Sequence, residues 1–264
     1  MIFLRSLLFN LAFYVSTLLQ MIVQLPVYFL MPRKMAYAIP KNWARSNLWL
    51  MKVIVGTRYE IEGLEHLTKT GFILAPKHQS TWDTFALIPY IDDPVYILKR
   101  ELLWIPLFGW YAAKQKMIPI NRAAGARALV EMLKRAHVEM EARRQLIIYP
   151  EGTRRPTGAP PEYKFGIARL YAALNVPVVP VVMHPGLFWP RHKFMRYPGV
   201  IKIRILPPIE PGMEQPAFFR HLVDTMEAAS DQLLIDTVNA NPQVPLPETA
   251  RTRLEELKAR GPDA

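Results

Sequence analysis

A long stretch without charge near the N-terminus constrains this chain more than any other feature. No charged residue occurs from Ser6 to Met31, and Arg33 and Lys34 follow directly. About 20 apolar helical residues cover the roughly 30 Å hydrocarbon core of a bilayer. The stretch is therefore long enough to form a membrane-spanning helix. Pro26 lies near its end and predicts a break or kink in the helix there.

The polar residues within this stretch share one side of the predicted helix. At 100° per residue they fall within about one third of the circumference. These residues are Asn10, Ser16, Thr17, Gln20 and Gln24. Two interpretations stay open: a spanning anchor, or a helix embedded in one leaflet with its polar stripe against protein. A cleaved signal peptide is disfavoured because no small-residue cleavage site closes the stretch.

A second segment, Lys41–Val55, favours the embedded arrangement. At about 1.5 Å per residue it is too short to span a bilayer. Lys41 and Arg45 belong to a polar side, and Trp43 belongs to an apolar side. Tryptophan beside Lys and Arg is typical of the headgroup layer. We therefore predict that residues 1–55 form membrane-anchoring helices inserted in one leaflet. The alternative is an ordinary amphipathic helix packed on the domain.

Beyond Gly56, short β-rich runs alternate with helical patterns. The β-rich runs are Arg58–Ile61, Phe72–Ala75, Val95–Leu98, Met117–Ile120, Leu146–Tyr149, Val178–Val182 and Val200–Leu206. The clearest helical patterns are Ala126–Arg143, Ile167–Leu174 and Phe218–Thr237. This alternation predicts an α/β domain at 56–240, with a mixed, mostly parallel sheet covered by helices and with active-site loops at strand ends. Residues 241–264 are expected to form a peripheral tail with a brief helical stretch around Glu248–Ala259.

Composition narrows the possible partners of the chain. The net charge of +11 predicts an anionic partner: membrane lipid, phosphorylated substrate, acidic carrier protein or nucleic acid. Nucleic acid is disfavoured, because Lys and Arg form no run beyond short pairs and no nucleic-acid-binding module is recognisable. The absence of cysteine excludes disulfides, thiolate metal sites and a cysteine nucleophile.

The first segment with catalytic potential is H-Q-S-T-W-D, from His78 to Asp83. It follows the buried-strand pattern Phe72–Ala75, so it is expected on a loop at a strand end. Histidine is suited to remove a proton from a hydroxyl, and a carboxylate orients its ring. The spacing from Ser80 to Asp83 also resembles a helix capping box, in which the acid stabilises a helix start. The two roles of Asp83 are compatible.

The second segment is Y-P-E-G-T-R, which follows the apolar run Leu146–Tyr149. Gly152 permits a tight turn or a close approach of backbone to ligand. Arg154 is able to hold a phosphate through two parallel hydrogen bonds. Taken alone, the segment also fits a surface turn with a Glu–Arg pair of little energetic value.

Together, and in this order, H-x4-D and E-G-T-R resemble the blocks of the glycerolipid acyltransferase family, in particular its bacterial members that make phosphatidic acid. The resemblance implies transfer from an acyl thioester, acyl-CoA or acyl carrier protein, to the sn-2 hydroxyl of 1-acylglycerol-3-phosphate. His78 would be the general base and Asp83 its partner. The resemblance implies that the substrate is bound by Arg122, Glu151, Gly152, Thr153, Arg154 and Lys164. No cofactor is implied, and His78 with Asp83 alone does not make a metal ligand set.

Further family blocks occur with departures. The motif I-P-I-N-R, ending at Arg122, resembles the family's I-F-I-D-R, and Y-K-F-G, containing Lys164, resembles its F-K-x-G turn. The run V-P-V-V-P-V at 176–181 resembles a further block and reads mainly as a core strand. Lys116 stands where a glycine is often found, and Lys77 stands where many relatives have Asn. These departures leave the acceptor open.

Several alternatives remain at the level of sequence. Relatives of this kind acylate other lysolipids, such as lyso-ornithine lipid, or glycerol-3-phosphate. A serine hydrolase is disfavoured because no G-x-S-x-G motif occurs and Ser80 is too near His78 along the chain to be an obvious triad serine. A non-catalytic membrane-surface binding protein is the remaining alternative. The resemblance implies a bacterial inner (cytoplasmic) membrane location, with the catalytic domain on the cytoplasmic side.

Overall fold

The computed structural model describes residues 1–68 and 71–260, apart from the side chains of Arg122 and Arg260. Within these residues, seven strands form one sheet with the order β1-β7-β6-β2-β5-β3-β4. The strands are β1 (Thr57–Glu62), β2 (Ile73–Pro76), β3 (Pro94–Lys99), β4 (Ile118–Ile120), β5 (Gln145–Ile147), β6 (Val178–Met183) and β7 (Gly199–Ile205). Neighbouring strands are parallel except β6 and β7. The predicted mixed, mostly parallel sheet is confirmed.

Helices cover both faces of the sheet. They are α1 (Ile2–Leu30), α2 (Arg33–Ala36), α3 (Ala38–Leu50), α4 (Asp83–Ala86), α5 (Phe108–Lys114), α6 (Gly125–Glu141), α7 (Gly166–Leu174), α8 (Gln215–Ala240) and α9 (Glu248–Arg260). Successive side chains of β2 point to opposite faces, as the pleat of a strand requires. Leu74 packs with residues of α1 and α3, whereas Ile73 and Ala75 pack with residues of α6, α7 and α8. The core therefore has two apolar layers.

The polar stripe of α1 contacts protein. Thr17 Oγ1 accepts a hydrogen bond from the indole of Trp43 at 3.0 Å, and Gln20 Nε2 donates to Ser46 Oγ at 3.2 Å. Asn10 donates to a backbone carbonyl in the loop before β7. The opposite side exposes apolar residues, among them Leu7, Leu8, Leu11, Val15, Leu18 and Ile22. Within the described residues, α1 is the one helix long and apolar enough to cross a membrane, a property of length and composition.

The predicted break at Pro26 is wrong, since α1 continues through this residue to Leu30. Proline removes one helical N–H but leaves the rest of the turn able to form. The helical turn that follows Pro26 packs against another helix. The ring of Tyr28 stacks on Tyr111 of α5, with ring centroids 4.1 Å apart.

The second N-terminal segment is a helix packed on the domain. It forms α3 and continues as a π-helical turn, Met51–Val55. Met51 is buried in the core, and Trp43 is half-buried against it. Trp49 is 60 % exposed. Much of the apolar side of this segment therefore packs on protein, while Trp49 and Val53 are exposed.

The C-terminal segment contains the predicted helical stretch, which forms α9 and packs on the domain. Ala250 of α9 is fully buried, and Thr249 Oγ1 donates to the backbone carbonyl of Thr157 at 2.6 Å. Arg253 forms a bidentate ion pair with Asp231 of α8. These contacts join α9 to the segment that follows β5. Residues 261–264 lie outside the described residues.

Candidate active site

The two motif-bearing loops meet at one edge of the sheet. Strands β2 and β5 are parallel neighbours, so the loops at their carboxyl ends lie side by side. The backbone N–H of His78 donates to Glu151 Oε2 at 2.7 Å. The backbone N–H of Arg155 donates to the carbonyl of His78, also at 2.7 Å. Both backbone polar groups of His78 are therefore hydrogen-bonded to the second segment, as expected for segments that share a site.

His78 and Asp83 form a hydrogen-bonded pair. Nδ1 of His78 lies 2.8 Å from Oδ1 of Asp83, whose side chain is fully buried. The other carboxylate oxygen accepts the backbone N–H groups of Gln79 and Ser80, at 2.8 and 2.7 Å. These bonds hold the loop before α4, a helix that begins at Asp83 and has Trp82 as its N-cap residue. Asp83 thus both faces the imidazole and holds the backbone of the loop that carries it.

Tyr149 fixes the plane of the imidazole, a contact that sequence reasoning missed. Its ring stacks on His78 with centroids 4.1 Å apart and an interplanar angle of 27°. Its hydroxyl donates to the backbone carbonyl of Asp83 at 3.1 Å. Burial raises the pKa of the Tyr149 phenol well above 10. The phenol therefore stays protonated. The one signal in the sequence for this contact is the position of Tyr149 directly before the P-E-G-T-R segment.

The structure brings some predicted substrate-binding residues to His78 and leaves others apart. Gly152 has φ +70°, as a tight turn requires, and Thr153 is exposed. Arg154 Nη1 donates to Thr81 Oγ1 at 2.9 Å, which places the guanidinium against the His78 loop. The ammonium of Lys164 is exposed and pairs with Glu162 at 2.6 Å.

Of the three predicted phosphate-binding cations, the structure describes the side chains of Arg154 and Lys164. The stem of Lys164 passes close to the turn, since a Cβ on Gly152 would lie 3.4 Å from its Cγ. The side chain of Arg122 lies outside the described residues. Its backbone follows β4, three strands from β2 in the sheet. Arg154 is therefore the predicted phosphate ligand whose contact with the His78 loop is resolved.

Comparison with known proteins identifies the family. The acyltransferase family model matches residues 58–184. The 1-acyl-sn-glycerol-3-phosphate acyltransferase of Pseudomonas aeruginosa is 33 % identical over 210 residues, which cover 80 % of this chain and 82 % of that protein. The chain belongs to the acyltransferase family. The alpha form of the Mus musculus 1-acyl-sn-glycerol-3-phosphate acyltransferase is 29 % identical over 162 residues, 60 % of this chain and 57 % of that protein.

A solved structure shows the same fold. The crystal structure of the 1-acyl-sn-glycerophosphate (LPA) acyltransferase from Thermotoga maritima superposes with a TM-score of 0.72. The match covers 88 % of this chain and 99 % of that chain, at 22 % sequence identity. At this identity the likeness bears on the fold of the acyltransferase and not on its substrate.

Ser80 of this acyltransferase is not placed as a nucleophile. Its side chain is fully buried, and Oγ donates to the backbone carbonyl of Trp189 at 2.8 Å. The same oxygen accepts the backbone N–H of Trp82 at 3.1 Å. Both contacts hold the loop that carries His78. The serine-hydrolase alternative therefore has no support from Ser80.

Lys77, which departs from the family pattern, belongs to a buried ionic cluster behind the acyltransferase site. Its Nζ lies 2.5 Å from Glu227 of α8 and 3.4 Å from Glu151 Oε1. The hydroxyl of Tyr163 donates to the same Glu227 oxygen at 2.6 Å. Burial raises the pKa of Glu151, while Lys77 and the N–H of His78 oppose that rise. Lys77 thus stabilises the carboxylate that holds the backbone of His78.

Lys116 also has a backbone explanation. Its φ is +55°, in the left-handed region that glycine adopts without steric cost. It lies in the connection between α5 and β4, where family members often carry glycine. The side chain is exposed. The left-handed backbone at this position therefore explains why glycine is common there.

Proposed function

We propose that the protein transfers an acyl group from an acyl thioester to the sn-2 hydroxyl of 1-acylglycerol-3-phosphate and so makes phosphatidic acid. The observation that carries the proposal is the 2.8 Å contact of His78 Nδ1 with buried Asp83, beside the turn that bears Arg154. Family membership supports the reaction type. The named relatives support the acceptor.

His78 acts as the general base in this proposal. Asp83 is a hydrogen-bond acceptor that already holds two backbone N–H groups, so Nδ1 of His78 donates to it and Nε2 keeps its lone pair. Nε2 takes the proton of the acceptor hydroxyl as the oxygen attacks the thioester carbonyl. The C–S bond breaks and the thiolate receives the proton from the imidazolium. No acyl-enzyme is needed, and Asp83 stabilises the transient charge on the ring.

Arg154 binds the phosphate of the acceptor in this proposal, with Arg122 and Lys164 as further cations. Its guanidinium has one described hydrogen bond, to Thr81, and keeps donors for a ligand. Glu151 and Gly152 shape the turn, and Thr153 is exposed at its tip. The acyl donor is acyl-CoA or acyl carrier protein, both anionic and both suited to a chain of net charge +11. The reaction requires no cofactor and no metal.

The assay that tests the proposal compares acceptors on purified protein. Lysophosphatidate, glycerol-3-phosphate and lyso-ornithine lipid are each offered with acyl-CoA and with acyl carrier protein, and His78→Ala serves as the inactive control. We expect the highest kcat/KM with lysophosphatidate. A preference for lyso-ornithine lipid would replace the proposed acceptor but leave the catalytic pair in place. Equal activity in His78→Ala would contradict the mechanism.

We further propose that residues 1–55 hold the enzyme in one leaflet of a bacterial inner membrane, with the domain on the cytoplasmic side. The polar stripe of α1 contacts protein and its apolar side is exposed, as a helix lying in a leaflet requires. The exposed Lys34 then lies at headgroups, whereas the guanidinium of Arg33 pairs with Asp93 of the domain. A topology reporter fused to the N-terminus should read out as cytoplasmic. A periplasmic readout would indicate a spanning helix without affecting the catalytic pair.

A further inference from the structure

We propose that residues 99–116 form a second membrane-contacting surface, which docks on anionic lipid headgroups beside α1. Its apolar part, here called the tryptophan patch, consists of Leu102, Trp104, Ile105, Phe108 and Trp110. Trp104 and Trp110 are 67 % and 57 % exposed. Single exposed apolar residues are ordinary on soluble proteins, but neighbouring exposed aromatic rings mark an interaction site.

The patch is presented by a rigid and strained turn. The backbone N–H of Phe108 donates to the carbonyl of Pro106 at 2.8 Å, and Leu107 between them has φ 64° and ψ −59°. These values describe the rarer form of the γ-turn, which is strained for a residue other than glycine. Gly109 follows, and a Cβ there would lie 1.9 Å from the backbone oxygen of Leu103. Such strain persists where the surroundings hold it, and it points to a function for the turn.

The helix that carries Trp110, α5, packs against the C-terminal end of α1. Tyr111 of α5 stacks on Tyr28, and its hydroxyl donates to the backbone carbonyl of Met21 at 2.8 Å. Lys114 Nζ donates to the carbonyl of Phe29 at 2.9 Å, so a cation closes the C-terminal end of α1. The exposed residues of that end include Val27, Phe29 and Leu30. A leaflet that covers this end of α1 therefore lies beside α5.

The charges around the patch favour lipid over a protein partner. Lys99, Arg100 and Lys116 are exposed, and Glu101 is the carboxylate within the same segment. The guanidinium of Arg100 lies over the ring of Trp104, 5.6 Å from its centroid. Tryptophan at the interface with Arg and Lys beside it is the composition that membrane surfaces select. The proposal uses the proposed attachment through α1 for its orientation and is independent of the acyl acceptor.

The natural absence of cysteine allows a direct test with the full chain. Single variants Trp104→Cys, Leu18→Cys and Val138→Cys are labelled with nitrobenzoxadiazole. They are then reconstituted into vesicles of phosphatidylethanolamine and phosphatidylglycerol, with or without brominated acyl chains. Leu18 lies on the exposed side of α1. Val138 is equally exposed, on α6 at the opposite face of the sheet. We expect bromine to quench the labels at 18 and 104 and to leave the label at 138 unchanged.

Each outcome of this experiment decides something. Quenching at 18 without quenching at 104 would overturn the second surface and leave the attachment through α1 in place. Quenching at neither position would overturn both. If the fluorescence of the label at 104 changes when acyl carrier protein is added but is not quenched by brominated lipid, the surface is a protein-docking site and the proposal is overturned. Acyl transfer by the labelled variants, measured in the same vesicles, reports separately on the proposed function.

Discussion

The half of the site around His78 and the half that bears the predicted phosphate ligands are built differently. Around His78, the ring nitrogen Nδ1, the backbone N–H and the backbone carbonyl each have a protein partner at 2.7–2.8 Å. The guanidinium of Arg154 has a single described hydrogen bond, and the ammonium of Lys164 is exposed beside Glu162. The imidazole proposed as the base therefore has its protein partners in place, whereas the proposed phosphate-binding cations are able to exchange their partners for a ligand.

The difference agrees with what each half would do in the proposed reaction. Proton transfer depends on the position of Nε2 within a fraction of an ångström, so a base benefits from fixed partners. A phosphate anion is recognised by charge and by hydrogen bonds that long side chains form on contact. Substitutions in the two halves test this comparison.

The largest effect is expected at the fixed half. His78→Ala should lower kcat by about 10²–10⁴-fold, the usual effect of losing a general base. Asp83→Asn should lower kcat by a substantial part of that factor, because an amide neither enforces the tautomer nor stabilises the imidazolium. Steady-state kinetics with lysophosphatidate measure both. Binding of the lysolipid should change little.

A control separates catalysis from helix capping by Asp83. Ser80→Ala removes a hydroxyl from the same loop but leaves the His78–Asp83 contact in place. It should lower the free energy of unfolding while changing kcat much less than Asp83→Asn does. If Asp83→Asn behaves in the same way, losing stability while keeping turnover, then Asp83 is only a helix cap.

The second effect concerns the buried cluster behind the base. Lys77→Met leaves the buried Glu151 and the half-buried Glu227 without their cation, and removing one partner of a buried ion pair costs about 3–5 kcal/mol of unfolding free energy. Chemical denaturation measures this loss. Arg135→Met is the matched control, since its pair with Glu131 is exposed and should cost less than about 1 kcal/mol.

The same substitution has a defined dependence on pH. Burial already raises the pKa of Glu151, and loss of Lys77 removes a group that opposes the rise. A carboxyl group with a raised folded-state pKa binds its proton more tightly when folded, so its contribution to stability falls as pH rises above its unfolded pKa. The loss in Lys77→Met should therefore be smaller at about pH 5 than at about pH 8. A loss independent of pH would indicate a packing defect instead.

The third effect concerns the half of the site that bears the predicted phosphate ligands. Arg154→Ala should raise the apparent KM for 1-acylglycerol-3-phosphate more than that for an acceptor without phosphate. A lost charged hydrogen bond costs about 1.5–3 kcal/mol, or roughly 10- to 150-fold. Arg154→Lys should recover part of this, because a point charge does not reproduce the guanidinium fork. Equal losses for both acceptors would mean that Arg154 holds the loop through Thr81 and does not bind phosphate.

The sequence predicted the fold where local pattern decides it. The β-rich run Val178–Val182 became β6, extended by one residue, because a short, continuous apolar run rich in valine is typical of a fully buried strand. The helical stretch predicted around Glu248–Ala259 is confirmed as well, since α9 spans Glu248–Arg260. The end of α1 was predicted less well, because the turn that follows Pro26 packs on Tyr111 of α5 through Tyr28. That contact has no signature in local sequence.

The site divides in the same way. His78 and Asp83 are close along the chain, so a local sequence motif is enough to predict the pair. Tyr149 and Glu227 reach the site from 71 and 149 residues along the chain, and their roles depend on how β5 and α8 pack. Lys77 was visible as a departure from the family pattern, but its buried partners were not.

The smallest effect is expected at Lys164, whose exposed ammonium pairs with Glu162. Lys164→Ala should raise the KM for lysophosphatidate by only about two- to fivefold, since exposed charge interactions are weak. The increase should fade as salt rises towards about 1 M, where the Debye length is about 3 Å. Glu162→Gln should have the opposite sign and lower KM, because it releases both Lys164 and Arg155 from a competing carboxylate. An effect of Lys164→Ala as large as that of Arg154→Ala, and insensitive to salt, would place the ammonium directly on the phosphate. The anion half would then resemble the fixed half around His78.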